Sequence, residues 1–335
     1  MSETITKDAL LKLVGEWIDR GKRTIGPTEI KPGHIRYARL EDSAALKLGG
    51  YIRPENSVKE FVFPKHEKLY RYLFEGKEIS LAEADGEPAA TVVVGSRPCD
   101  AAAFDILDRV FNWDFVDEQF NARRHATTIV TIACREWDDY CFCTSVGLGP
   151  AAPRGSDVLL MPLDGGAYEV RALTDAGRAL FAGHTTPAEV SATDSAGPER
   201  KFEMEAVDEF LRQSWDSPLW RDQALRCLGC GACTYECPTC HCFDIVDEGN
   251  ARGGYRARNW DACQFRMFTV HASGHNPRPD QPSRQRQRIL HKFRIYPDKF
   301  GELLCTGCGN CGRACPVGLG VLNVLEAAAK AAVEG

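Results

Sequence analysis

Residues 227–243 read CLGCGACTYECPTCHCF, six cysteines in seventeen residues, where one thiolate-held cluster needs four. From Cys227 to Pro238 the spacing is C-x2-C-x2-C-x3-C-P, and CTGCGNCGRACP repeats it from Cys305 to Pro316. A lone C-x2-C pair is ambiguous between zinc and iron. Two copies of the full run, each closed by proline, specify [4Fe–4S] clusters. Three thiolates at this spacing let a tight loop wrap one corner of a cube, with Gly229, Gly231, Gly307 and Gly309 allowing close backbone approach. The fourth cysteine, followed by proline, points away and serves the opposite cluster. The expected ligand sets are Cys227, Cys230, Cys233 and Cys315 for one cluster, and Cys305, Cys308, Cys311 and Cys237 for the other.

Outward from these runs the pattern is helical. KFEMEAVDEFLRQ (201–213) and SPLWRDQALRC (217–227) lead in, with Ser217 placed to cap and Pro218 at a first helical position, and VGLGVLNVLEAAAKAAVEG (317–335) follows. Residues 201–335 therefore read as a mainly helical, two-cluster ferredoxin domain. The 67 residues between Cys237 and Cys305 exceed what a compact bacterial ferredoxin uses, so this domain carries an insertion. Its segment 249–294 holds nine arginines against two acids, Asp261 and Asp280. Guanidinium groups beside an anionic cluster, or an acidic partner docked on the same face, explain these better than nucleic acid does. The formal net charge of −6 argues the same way.

Upstream, composition shifts at SATDSAGPER (191–200), which suits a surface linker. Residues 1–200 read as a mixed α/β domain. A helix over 7–20 is followed by a buried strand ATVVVG (90–95) that turns into a helix over 99–111, then by a strand TTIVTIAC (127–134). Residues 157–173 read as a hairpin about Gly165-Gly166. The fold class is thus α+β. With 335 residues, 44% of them hydrophobic, the chain can bury a substantial core. No window has the ~18 uninterrupted apolar residues of a membrane span, and MSETITKDALLK lacks an apolar signal region, so a cytoplasmic protein is expected. In a reducing compartment, fifteen clustered cysteines serve metals rather than disulfides.

If the strands over 90–95 and 127–134 pair in parallel, Cys99 and Cys134 share the carboxyl edge of one sheet, where open α/β sheets place ligands. Cys141 and Cys143 follow in the loop REWDDYCFC. These four are a candidate third cluster, against the plainer reading of cysteine as a small buried hydrophobe.

Together these motifs resemble the iron–sulfur beta subunit of soluble, NAD(P)-linked nickel–iron hydrogenases (sulfhydrogenases), with the iron–sulfur electron-transfer subunit of anaerobic sulfite reductase as close kin. The resemblance spans nearly the whole chain and rests on RPCDAAAFDILD (97–108), DDYCFC (138–143), SPLW (217–220), CLGCGACTYECPTCHCFDI (227–245), RNWDACQFR (258–266), SGHNPRP (273–279), RQRQRILHKF (284–293) and the second ferredoxin run. It implies an electron-transfer subunit between a flavin-containing, NAD(P)-reactive subunit, which would hold FAD and NAD(P), and the small subunit beside the nickel–iron site of the large subunit. In the sulfite enzyme a sirohaem subunit takes the latter place. Cys99, Cys141 and Cys143 fall inside these motifs. So do Cys240, Cys242 and Cys263, one thiolate short of a cluster, for which His275 or His291 is a candidate fourth ligand.

Outside the second cysteine run the chain has no G-x-G-x-x-G string, and it has no P-loop, so nucleotide binding is expected elsewhere. A competing reading is a catalytic iron–sulfur oxidoreductase with a flavin or deazaflavin in the first domain and Asp100, His125 or Asp138 as acid/base groups. A third makes it a nucleic-acid binder through the arginines.

Overall fold

The computed structural model describes residues 2–83 and 86–334. In chain order its strands are β1 (Ser2–Thr6), β2 (Arg23–Lys31), β3 (His34–Arg39), β4 (His66–Glu75), β5 (Glu78–Glu83), β6 (Thr91–Ser96), β7 (Thr127–Ile132), β8 (Val158–Pro162), β9 (Ala167–Ala172), β10 (Thr186–Ala188), β11 (Phe243–Asn250) and β12 (Gly253–Trp260). The helices that matter below are α1 (Lys7–Asp19), α2 (Pro98–Val110), α3 (Glu118–His125), α4 (Met204–Gln213), α5 (Leu219–Ala224), α6 (Gln281–Leu290) and α7 (Val321–Glu334).

Every residue of β6 is buried, and its valines alternate between two cores: Val92 and Val94 join one, Val93 the other. Burial on both faces puts this strand inside a sheet covered on both sides. The sheet runs β10-β1-β9-β8-β7-β6-β2-β3, with β2, β6, β7 and β8 mutually parallel at its centre. Leu10, Leu13, Val14 and Trp17 of α1 cover one face, and Phe104 and Leu107 of α2 with Phe120 of α3 cover the other. The expected parallel pairing of the two hydrophobic strands is present, so the chain after β6 and after β7 leaves from the same edge. The expected hairpin is β8–β9, turning through Gly165 and Gly166 at φ 81° and 83°.

A second sheet, β11-β12-β4-β5, departs from expectation. The segment between the cysteine runs reads without strands, yet residues 243–260 form a hairpin whose inner strand pairs with β4 from the first half of the chain. Charged side chains at Asp244, Asp247, Glu248, Arg256 and Arg258 hide the alternation, and the pairing partner lies far away in sequence. The C-terminal part is therefore helical apart from this hairpin, and the arginine-rich segment begins inside it. Arg258, with only 3% of its side chain exposed, ties the hairpin to buried Glu67 and to Asp117.

The helical part packs α4 through Val207 and Leu211, α5 through Trp220, α6 through Ile289 and Leu290, and α7 through Leu322, Val324 and Leu325. Cys227, Cys233, Cys305, Cys311 and Cys315 belong to this same core, and so does Phe142 from the loop after β7. At α5, Leu219 N donates to Ser217 Oγ at 3.3 Å, with Pro218 as the capping residue. No helix among the described residues is long and apolar enough to cross a membrane.

Candidate iron–sulfur sites

The two cysteine runs fold alike. Each passes through glycines of positive φ and ends in a single helical turn, Ala232–Tyr235 after Gly231 and Asn310–Arg313 after Gly309. The turns pack against each other, and Asn310 Nδ2 donates to Glu236 O at 3.3 Å. This back-to-back packing brings the last cysteine of each run toward the first three of the other.

Cys227, Cys230, Cys233 and Cys315 line one cavity, walled by Val317 and Leu319 and by the buried guanidinium of Arg288. Donors reach its sulfurs: Gln281 Nε2 lies 3.2 Å from Cys227 Sγ, and Leu319 N lies 3.2 Å from Cys315 Sγ. On the other side, Thr239 Oγ1 donates to Leu304 O at 2.9 Å, which pins the chain after Cys237 to the chain before Cys305. Cys237 stands within electrostatic reach of Cys305 and Cys308, and Cys308 within reach of Cys311. Val321 N donates to Cys311 Sγ at 3.3 Å.

Two lysines show what kind of group these sulfurs suit. Lys292 is 2% exposed, and its ammonium donates to Cys237 Sγ (3.4 Å), Thr239 Oγ1 (3.0 Å) and Leu304 O (2.9 Å). Lys59, also 2% exposed, donates to Cys240 O (2.8 Å) and Thr234 O (3.2 Å) and stands 4.1 Å over the Trp260 ring. Among the described residues neither lysine is in ion-pair contact with a carboxylate, although Glu236 stands within electrostatic reach of Lys59. Burial pulls the Lys59 pKa below its ordinary value; burial acts the same way on Lys292, but the Cys237, Cys240 and Cys305 sulfurs outweigh it and leave its pKa raised. A buried ammonium without an anion costs several kcal/mol, on the order of a full desolvation penalty. A thiolate-held iron–sulfur cube is such an anion, so the donor set fits one.

Among the described residues no three His, Cys, Asp or Glu side chains converge on a point that would seat a single metal ion. Sulfurs standing around a cavity suit a cube of several irons instead.

The other expected residues separate into two groups. Cys99 in the first turn of α2, Cys134 just past β7, and Cys141 and Cys143 in the following loop all line one further cavity. The set Cys240, Cys242, Cys263 and His291 does not assemble as a unit. Cys240 lies against Cys237, whereas Cys242 lies against Cys263, and only that second pair shares a cavity with His291 and His241. His275 pairs instead with His271, ring centroids 5.3 Å apart.

Nor are Asp100, His125 and Asp138 brought together. Asp100 is fully buried, accepting from Arg53 Nη2 at 2.6 Å and Tyr37 Oη at 2.7 Å. Asp138 is clamped by Arg313 Nε at 2.8 Å, and His125 ends α3 at a different cavity. The arginines of 249–294 mostly find protein partners: Arg256 meets Asp247, Arg294 meets Asp298, and Arg286 lies over the Trp215 ring at 3.9 Å. Arg288 is the one of these that lines a ferredoxin cavity. The cations that donate directly to sulfur, Arg53, Lys292 and Arg313, and the buried Lys59 beside the Cys240 carbonyl escaped sequence reasoning. Only Lys292 had a signal, since it lies four residues after Arg288 on the same helical course.

A family model described as a 4Fe-4S dicluster domain matches residues 226–319. Sulfhydrogenase 2 subunit beta of Pyrococcus furiosus is 28% identical over 316 residues, covering 91% of each chain. No solved structure matches.

Proposed function

We propose that this chain, an iron–sulfur electron-transfer subunit resembling sulfhydrogenase beta subunits, relays single electrons between a flavin-bearing partner that reacts with NAD(P) and a nickel–iron hydrogenase module of the same complex. The two clusters, when bound, each change oxidation state by one electron and need no substrate pocket. The observation that carries the reading is the interlacing of the two runs, in which Cys315 joins Cys227, Cys230 and Cys233 around one cavity. Cys237, Cys305, Cys308 and Cys311 are the proposed second ligand set. Residues 201–335 are the proposed cluster-holding domain and 1–200 the α/β domain beside it.

The chain's own residues do three things for such a relay. The helical core shields the sulfurs of Cys227, Cys233, Cys305, Cys311 and Cys315 while Cys230 stays exposed, Gln281 and backbone N–H groups hydrogen-bond sulfurs of both sets, and Lys292 and Arg288 offset the negative charge that an added electron brings. FAD and NAD(P) belong to the flavin-bearing partner on this reading, and neither a nucleic acid nor a membrane is involved. The test is purification of the native complex under strict exclusion of oxygen. Co-purification with flavin-containing and nickel-containing chains, and loss of NAD(P)-linked hydrogen turnover in Cys230→Ala, is the expected result. Co-purification with a sirohaem chain instead would move the protein to a sulfite reductase.

A further inference from the structure

We propose that Cys99, Cys134, Cys141 and Cys143 hold a third iron–sulfur cube, of the [4Fe–4S] class, one thickness of chain away from the site of Cys305, Cys308 and Cys311. The four thiols come from three separate places: the first turn of α2, the end of β7 and the loop that follows it. All line one cavity, whose remaining wall includes Pro98, Pro150 and Trp137.

Four features distinguish this cavity from an ordinary cysteine-containing core. Arg53, buried with only 3% of its side chain exposed, donates through Nη1 to Cys99 Sγ, and Arg313 Nη2 donates to Cys141 Sγ at 3.1 Å. Each guanidinium is anchored by a carboxylate, Arg53 by Asp100 and Arg313 by Asp138, and turns a further N–H to a sulfur, the kind of donor that ligand sulfurs use. Secondly, the loop is held at many points: Cys134 N donates to Pro150 O (2.8 Å), Cys141 N to Asp138 O (3.0 Å) and Leu148 N to Cys143 O (3.0 Å). Thirdly, none of the four is in a disulfide, so all four thiols are free to ligate. Finally, the cavity repeats the character of the one lined by Cys227, Cys230, Cys233 and Cys315: four cysteines of its own, beside the shared Cys308, with prolines in the wall and a buried arginine.

The neighbour relation gives the site a role. Cys308 and Gly307 also line this cavity. Phe142 N donates to Gly307 O at 2.9 Å, and a Cβ at Gly307 would come within 2.5 Å of the Cys143 backbone. The third site and the second ferredoxin site therefore share a wall. The other side of the cavity reaches the surface at Glu136 and at Trp137, which is 38% exposed. The third cube extends the relay from the ferredoxin sites to this face. One electron enters and one leaves, with no bond made or broken.

This proposal rests on the four N-terminal thiols and stands or falls apart from the two-run assignment. The full chain, reconstituted without oxygen, is assayed for iron, acid-labile sulfide and zinc, and its reduced spins are counted by EPR. The expected values are about twelve irons and three spins per chain, falling to about eight and two in Cys141→Ala/Cys143→Ala. Wild type at about eight irons, or a variant that keeps the wild-type count, overturns the proposal. Zinc lost in place of iron overturns it as well. Cys230→Ala separates the two readings, because it removes ferredoxin iron and leaves the N-terminal third in place. If the double variant does not fold, the wild-type iron and spin counts decide alone.

Discussion

Replacing Lys292 with methionine removes a positive charge 3.4 Å from Cys237 Sγ while keeping a long apolar stem in the same buried channel. An electron added to the adjacent cube spreads beyond that one sulfur, so a separation of about 6 Å is appropriate, and at an effective dielectric of about 20 the lost attraction is roughly 3 kcal/mol. For a one-electron couple, about 1.4 kcal/mol corresponds to 59 mV, so one cluster's midpoint should fall by about 100 mV. The other ferredoxin cluster, whose nearest buried cation is Arg288, should move much less. An EPR-monitored redox titration of wild type, Lys292→Met and Lys292→Arg measures this. Lys292→Arg keeps the charge and should stay within about a third of the methionine shift. A methionine variant within about 20 mV of wild type at both clusters, or equal shifts for methionine and arginine, would refute the argument that the buried ammonium balances cluster charge. The same logic predicts the opposite sign for the iron-free chain. Without an anion beside it the buried ammonium is a liability, so Lys292→Met should not lower apo stability.

Gly307→Ala should lower the melting temperature and loosen the 138–146 loop, because φ is +63° and the new methyl meets backbone atoms of Cys143; the cost should be about 1–3 kcal/mol, read by thermal melting. Arg258→Met leaves the buried Glu67 carboxylate with Arg123 alone and should cost about 3 kcal/mol, with faster amide exchange confined to β4, β11 and β12. Removing iron with a chelator should melt the helices of 201–334 before the eight-stranded sheet, since five of the ferredoxin cysteines sit in the helical core; far-UV circular dichroism with exchange along β6 and β7 checks it.

Chain-local chemistry was legible from residues alone. The C-x2-C-x2-C-x3-C-P spacing names its cluster type wherever it folds, because ligand reach within one loop depends only on nearby residues. The valine run of β6, the proline after Ser217 and the paired glycines of the β8–β9 turn announce their elements for the same reason. Only the tertiary structure decided what distant segments do to one another. The hairpin over 243–260 forms because β4, some 180 residues earlier, offers a free edge, and Arg258 is useful only where Glu67 and Asp117 wait for it. Lys59 and Arg53 look like ordinary surface cations in the sequence, yet folding buries them, Arg53 against the Cys99 sulfur and Lys59 against the Cys240 carbonyl. Cys240 and Cys242 went to different neighbours although they are two residues apart. Spacing along a chain sets which atoms can meet locally, while burial and long-range pairing, which carry no local signature, set which charges must share a low-dielectric interior.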